Sequence, residues 1–253
     1  MGTKGSMAGD TADMIWGRHP IAEALSVPGR VQRLLVARGT REAGMAEVLT
    51  LAEQGQVPTE TVARERLDQL ARGANHQGVI AFVAPWHYAD LDDLLALAIH
   101  RDEPPLLLAL DSVQDVHNLG TLIRTAEAVG VHGIILPENR AAGVTPAVVK
   151  SSAGAIEHML VTQVTNLPRT LDQLKERGIW AIGLAGEAAQ PMEKVDLNRP
   201  LVLVVGSEGK GLGRLVREHC DLVISLPMRG QINSLNAAIA GSIALYAAWR
   251  ARG

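Results

Sequence analysis

A single cysteine, Cys220, stands in a chain of 253 residues, so no intrachain disulfide can form and no Cys/His cluster at zinc spacing exists. A secreted, disulfide-stapled scaffold is excluded. His117, His132, His158 and His219 fall at no metal-ligand spacing, and no metal is expected in catalysis. The most continuous apolar stretch, roughly 237 to 249, falls short of the ~20 residues a bilayer span needs and is broken by Ser242, so no membrane anchor is expected. The opening MGTKGSMAGD lacks the apolar core of a signal peptide; residues 1–13 read as a loose tail, and the expected location is cytoplasmic. Charge is also scarce, at 20% of residues with a net −3. That balance argues against coating nucleic acid by bulk electrostatics but leaves a local site open. No repeat at a fixed period is visible.

What is present is apolar material, 47% of the chain, enough for packed cores in two domains. Residues 1–90 hold 9 basic and 10 acidic side chains, 91–103 hold 1 and 4, and 104–253 hold 14 and 13. The acid excess sits in a stretch, 86–104, that runs Ala-Asp-Leu-Asp-Asp-Leu-Leu and ends Asp-Glu-Pro-Pro. It predicts a short helix, then an extended break, and serves as the linker between a domain at 14–85 and another at 105–253. The first domain alternates strands at 31–37, 57–62 and 79–83 with helices at 21–25, 41–54 and 64–71, a small α/β layer. Its polar turns at 17–20 and 73–78 are either ordinary loops or contacts for a phosphate backbone.

The second domain shows five apolar runs without polar alternation: 106–110, 133–136, 179–184, 201–205 and 222–226. Such runs are strands covered on both faces. Helical patterns at 119–129, 146–158, 169–177, 212–219 and 235–250 separate them. The expected fold class is α/β with a doubly wound parallel sheet, in which ligands sit beyond the carboxyl ends of the strands.

Three segments follow such strands. In the first, DSVQDVHNLGTLIRTAE, Asn118 is a helix-cap type and Arg124 lies six residues on, on a helix otherwise apolar at Leu119, Leu122, Ile123 and Ala126. That arginine is either a snorkelling surface residue or a functional one. In the second, GSEGKGLG at 206–213, four glycines let backbone approach a ligand closely, with Glu208 among them. Spacing rejects a P-loop, since Gly211 is followed by Leu212, and a dinucleotide fingerprint, since position 214 is Arg. Simple turn glycines are the alternative. In the third, PMRGQINSLNAAIAG, Pro227 ends a strand, Ser234 is a cap type and Asn236 falls in the first helical turn. Cys220 has no neighbouring base and is not a nucleophile candidate.

Taken in order, DSVQDVHNLGTLIRTAEAVG, LVVGSEGKGL and ISLPMRGQINSLNAAIAGSIALY resemble the three motifs of the SpoU (TrmH-type) branch of the SPOUT RNA methyltransferases, nearest its 23S rRNA (guanosine-2′-O)-methyltransferase type, RlmB. The resemblance covers about 104–250. The preceding domain resembles that family's ribosomal-protein-like RNA-binding domain. Ser-Leu-Asn-Ala-Ala departs from the family's Ser-Leu-Asn-Val-Ser, removing one hydroxyl at Ala238.

The resemblance implies a deep trefoil knot, which general topology rules would reject. It also implies S-adenosyl-L-methionine bound bent in the knot, by Leu184, Ala185, Gly186, Gly206, Leu226, Pro227, Met228 and Leu235. It further implies ribose 2′-O-methylation carried by Asn118, Arg124, Glu208, Ser234 and Asn236. Arg124 would bind the target phosphate and polarise the hydroxyl, since a guanidinium stays protonated; direct base action is the variant. Structured rRNA is the expected partner and tRNA the second, with Arg18, Arg30, Arg33, Arg38 and Arg41 as the docking surface. A silent RNA-binding or assembly factor and a nucleotide-binding oxidoreductase are the rivals. Small residues on the last helix, Ala237, Ala240, Gly241, Ala244 and Ala248, with Leu245, Tyr246 and Trp249 on other faces, predict burial on more than one side and hence a homodimer through the C-terminal domain.

Overall fold

The computed structural model describes residues 13–40, 44–139, 141–231 and 234–253. Two compact units form, the first ending at Trp86 and the second spanning His87–Gly253. The expected tail lies outside the described residues apart from Asp13, which opens β1 (Asp13–Trp16). Pattern rules do not find this strand because four residues carry too little alternation.

The first unit continues with α1 (Arg18–Ser26), β2 (Val31–Ala37), α2 (Ala46–Gln54), β3 (Thr59–Val62), α3 (Arg64–Ala71) and β4 (Val79–Val83). Its sheet order is β1-β4-β2-β3, with β4 antiparallel to both neighbours and β2 parallel to β3. Leu67 and Ala71, four apart and so on one face of α3, pack on Leu35, Ala37 and Ile80 of the sheet.

The stretch expected as a linker holds α4 (Leu91–His100). Its Leu94 and Ala98 are fully buried, and Leu94 lies in one cluster with Leu107, Ile135, Leu171 and Val202. The helix is therefore part of the second unit's core. The rest of that unit is β5 (Leu106–Asp111), α5 (Val116–Ala128), β6 (Gly133–Pro137), α6 (Pro146–Ser151), β7 (Val161–Val164), α7 (Leu167–Glu176), β8 (Trp180–Leu184), β9 (Gln190–Pro191), β10 (Leu201–Gly206), α8 (Arg214–His219), β11 (Leu222–Ser225) and α9 (Ala237–Arg250). All seven strands are parallel, in the order β7-β6-β5-β10-β8-β11-β9. Side chains of β5 and β10 are buried throughout, the covered-on-both-faces pattern expected of them. β7, with the sequence Val-Thr-Gln-Val, and the two-residue β9 are edge strands, and neither is an apolar run.

Two caps differ from expectation. The side chain of Asp115, not of Asn118, caps α5 by accepting from the His117 and Asn118 N–H groups. Asn236, not Ser234, caps α9, accepting from Ala238 and Ile239. In both cases the helix begins at a different residue from the one the apolar period marks, and the residue ahead of its first turn does the capping.

The faces of α9 are also reversed from expectation. Ala238, Gly241, Ala244, Leu245 and Ala248 are buried within the chain. Gly241 lies against Leu122 and Val205, and Ser242 exchanges a 2.8 Å hydrogen bond with Thr125 of α5. Small residues thus let α9 settle on its own α5 and β10. The exposed side carries Ile239, Ile243, Tyr246 and Trp249. Among the described residues no helix is long and apolar enough to cross a membrane, and no group of three metal-binding side chains occurs.

Candidate active site

The strand order turns at β5 and β10: the chain leaves β5 towards β6 and leaves β10 towards β11, on opposite sides of the sheet. Loops diverge at such a point and open a crevice beyond the carboxyl ends. The ends are level, since Gly206 pairs with Asp111 and Val205 with Leu184. A cavity of about 700 Å³ lies there, walled by the ends of β8 and β10, the loops after β10 and β11, and the start of α9.

Much of that wall is main chain and small side chains. At Gly206 a Cβ would stand 2.2 Å from the backbone of Gly211, so β10 can turn into the 207–211 hairpin only as glycine. The hairpin is closed by Ser207 and Gly211, each donating its N–H to the other's carbonyl. Its far end is tied back to the sheet: the Gly213 N–H donates to the Asp111 carboxylate at 2.6 Å, and the Ser112 hydroxyl donates to the same side chain. Asp111 was not singled out from sequence. The signal was present, in one carboxylate closing a run of five apolar residues.

A chain of side-chain hydrogen bonds crosses the rim. The Oδ1 of Asn236 is fixed by the two N–H groups it caps, so its Nδ2 must point outwards, where it donates to Asn118 Oδ1 at 3.0 Å. That leaves Asn118 Nδ2 to donate to Glu208 Oε2 at 3.1 Å. Three residues from three separate segments, the first turn of α5, the hairpin after β10 and the cap of α9, 118 positions apart at the extremes, become one unit whose orientation is set by a helix terminus. A carboxylate receiving such a bond on one oxygen keeps the other free to accept from a ligand.

Of the expected cofactor residues, Leu184, Ala185, Gly186, Gly206, Leu226, Met228 and Leu235 line the cavity. Pro227 is exposed between two of them and is not part of the wall. Of the expected catalytic residues, Glu208, Ser234 and Asn236 line it and Asn118 joins through its hydrogen bonds. Arg124 does not. It is exposed on α5, opposite the buried Leu119, Leu122, Ile123 and Ala126, the surface placement that the sequence left open, and it is not part of its own chain's cavity wall. Further wall residues not foreseen are Glu187, Val205, Lys210 and Ala240. The Glu187 carboxyl is held below its ordinary range by its own backbone N–H and by the Arg217 guanidinium paired with it.

The wall suits S-adenosylmethionine. Its volume falls in the range of small-molecule pockets, and apolar Leu226, Met228 and Leu235 alternate with strand-end backbone able to read a nucleoside edge.

The sequence matches the model of the SpoU rRNA methylase family over residues 105–246, and that of the RNA 2′-O ribose methyltransferase substrate-binding domain over 14–89. YacO of Bacillus subtilis, assigned to the TrmH family of tRNA/rRNA methyltransferases, is 46% identical over 95% of this chain and 96% of its own. A Staphylococcus saprophyticus protein assigned to the same family is 39% identical over 94% and 96%. The crystal structure of the SpoU methyltransferase AviRb from Streptomyces viridochromogenes, in complex with S-adenosylmethionine, superposes with a TM-score of 0.78 at 28% identity, covering 94% of this chain and 90% of that one. The chain belongs to the SpoU (TrmH-type) family of S-adenosylmethionine-dependent RNA methyltransferases.

Proposed function

We propose that the protein methylates the ribose 2′-hydroxyl of a guanosine in 23S rRNA, as the RlmB type does. The observation that carries the reading is the Glu208–Asn118–Asn236 unit standing beside a glycine-built cavity at the switch point. When bound, S-adenosylmethionine supplies a methyl on a sulfonium, an intrinsically good electrophile. Leu184, Ala185, Gly186, Gly206, Leu226, Met228 and Leu235 hold it, within the trefoil knot that the resemblance implies. The chain's task is then to place the 2′-oxygen in line and to ease loss of its proton. Glu208, oriented by Asn118, accepts from the incoming ribose or from Arg124, and Ser234 offers a hydroxyl from the facing loop. Arg124 binds the target phosphate and polarises the hydroxyl.

Because Arg124 lies outside the cavity wall of its own chain, this role belongs to a homodimer in which it reaches the partner's site. Support comes from Ile239, Ile243, Tyr246 and Trp249, which recur at helical spacing on α9 and are 47%, 43%, 54% and 38% exposed. Such a stripe is more apolar than water-facing helices normally carry. Residues 14–85 form the RNA-binding domain, and 105–253, with α4 packed into the same core, form the catalytic one.

The test uses purified protein, tritiated cofactor, and 23S rRNA or tRNA. Label should appear as 2′-O-methylguanosine in 23S rRNA. Arg124→Ala should lose about 100-fold or more in kcat, in the range of a removed transition-state donor, with cofactor affinity kept. Label on a base, or label preferring tRNA, overturns the assignment. Tyr246→Glu should give an inactive monomer; full activity at about 27 kDa by light scattering ends the dimer claim.

A further inference from the structure

A second cavity, of about 730 Å³, lies wholly within the first unit and is lined by Arg18, His19, Thr40, Gly44, Arg64 and Gln77, with Gly39. Two arginines and a histidine line it, and among the described residues no carboxylate does. The arginine at its centre is held by a relay that begins inside the unit. His76 is buried, 3% exposed. Its Nδ1 accepts the Gly78 N–H at 3.0 Å, so its proton sits on Nε2, which donates to Asp68 at 2.9 Å. This fixes the turn at Gln77, whose φ of 54° lies in the left-handed region that a residue with a side chain seldom enters. From there Gln77 grips Arg18 twice. Its side-chain oxygen accepts the Arg18 backbone N–H at 2.9 Å, and its carbonyl accepts Nε–H at 3.3 Å.

The far end of Arg18 is placed as deliberately. Its Nη1 stands 2.0 Å from where a Cβ of residue 44 would be, so Gly44 leaves the room the guanidinium occupies. Neither terminal nitrogen donates to another described residue. A strained turn and a buried histidine thus fix one arginine whose terminal nitrogens meet no acceptor among the described residues, and a fixed guanidinium fork matches phosphate oxygens in pairs. Other basic residues of the unit are engaged differently. Arg30 stacks 5.3 Å from the Trp86 ring and donates to the Ala84 carbonyl, and Arg33 lies 4.1 Å over Phe82. Arg38 is exposed, and Arg41 lies outside the described residues.

We propose that this cavity is a subsite for one phosphodiester and its adjoining nucleotide of the RNA substrate. Arg18 takes the phosphate, Arg64 and His19 add positive charge at the mouth, and Gln77 offers its amide N–H groups to a splayed base. The cavity is larger than a phosphate alone requires, and RNA is commonly recognised through unstacked bases presented to such pockets. The described wall residues are polar, charged or glycine, which disfavours a peptide anchor. The inference rests on an RNA substrate but not on the reaction performed on it.

The experiment measures binding of the full chain to in vitro transcribed 23S rRNA across a salt series, for wild type, Arg18→Ala/Arg64→Ala and Gly44→Ala. The double variant should bind at least tenfold more weakly. Its slope of log affinity against log salt should be shallower by about 0.7–0.9, the value for one phosphate no longer neutralised. Gly44→Ala keeps every charge and displaces only the Arg18 guanidinium; it should weaken binding several-fold. Cofactor affinity, set in the second unit, should be unchanged in both variants, as should their melting curves. Wild-type affinity and slope in the double variant overturn the inference, as does a wild type with no RNA affinity. Competition by free guanosine monophosphate as tight as by RNA also overturns it, by showing a nucleotide site instead of a strand site. Methyl transfer to a base would sink the proposed reaction and leave this binding result standing.

Discussion

Two cavities of nearly equal size, about 700 Å³ and about 730 Å³, occur in the two units, and they are made of opposite materials. The one beyond β8 and β10 is walled mainly by strand-end backbone, glycines and apolar side chains, with Glu187, Glu208 and Lys210 at its loops. The one beside α1 is walled by long charged and amide side chains. Main-chain walls give a fixed shape and little net charge, as one small cofactor of constant structure requires. Arginine walls give charge and reach, which suit a polyanion whose sequence and fold vary around the contact. On the proposed assignments, cofactor and RNA are handled by different physics, each in its own unit.

The same substitution made in both cavities tests this most severely. Gly206→Ala puts a Cβ 2.2 Å from the Gly211 main chain, and backbone on both sides cannot yield without opening the hairpin that carries Glu208. We expect cofactor affinity, read by calorimetry, to fall about 100-fold or more, with folding checked by circular dichroism. Gly44→Ala meets only the end of a flexible side chain, so its effect should stay within several-fold and appear in RNA affinity alone. Unaltered cofactor binding in Gly206→Ala would remove the distinction between the two walls.

The two walls were also unequally legible in the sequence. Continuous apolar runs located β5, β6, β8, β10 and β11, because strands covered on both faces tolerate nothing else. They failed at β1, β7 and β9, which are short or at an edge and need not be apolar. The cofactor wall was approached through its glycine-rich segment and its motif resemblance, yet the bond between Asn118 and Asn236 has no local signal, being a matter of which loops the sheet order brings together. Residue-type rules chose Asn118 and Ser234 as caps where Asp115 and Asn236 do the work, since periodicity marks the apolar face better than the first turn. For α9 the small residues were visible, but not whether their own chain or another would cover them. The basic pocket was only partly legible: the turns at 17–20 and 73–78 were read as either ordinary loops or phosphate contacts, whereas Arg64, on a separate helix, had nothing to link it to them.

A smaller effect compares the units through their buried histidines. His132, 1% exposed, mirrors His76: its Nδ1 accepts the Leu106 N–H at 3.0 Å and its Nε2 faces Glu103 at 3.1 Å. Burial pushes the His132 pKa below its ordinary 6.5, outweighing the attraction of Glu103. With the folded value depressed, both states are neutral above about pH 6.5 and stability is complete there. Below that the unfolded chain takes up a proton that the folded one refuses, so stability falls with pH until the folded value is passed. Thermal melts at pH 7.5 and 5.5 should show the second unit losing a few degrees in acid, and His132→Gln should flatten that dependence while lowering the melting point at pH 7.5. An acid limb unchanged by the substitution would assign it to other groups.

Cys220 provides the smallest effect and the cleanest contrast with a working side chain. Its thiol donates to the Val216 carbonyl at 3.3 Å and packs against Gly183 of β8, where an added Cβ would stand 3.0 Å from the sulfur. Burial, then the charge of Asp221, pushes its pKa up to about 12, so at pH 8 the thiolate that alkylating agents require is essentially absent. The thiol fills space between β8 and α8 and does not line the cavity. Native protein should therefore take up almost no iodoacetamide at pH 8 in the time that urea-unfolded protein is labelled completely, and Cys220→Ala should keep activity within about twofold. Rapid labelling of the native chain would mean that the segment after α8, which packs on β8 next to the cavity wall, opens far more readily than its packing implies, and the picture of a stiff wall at the end of β8 would have to be given up.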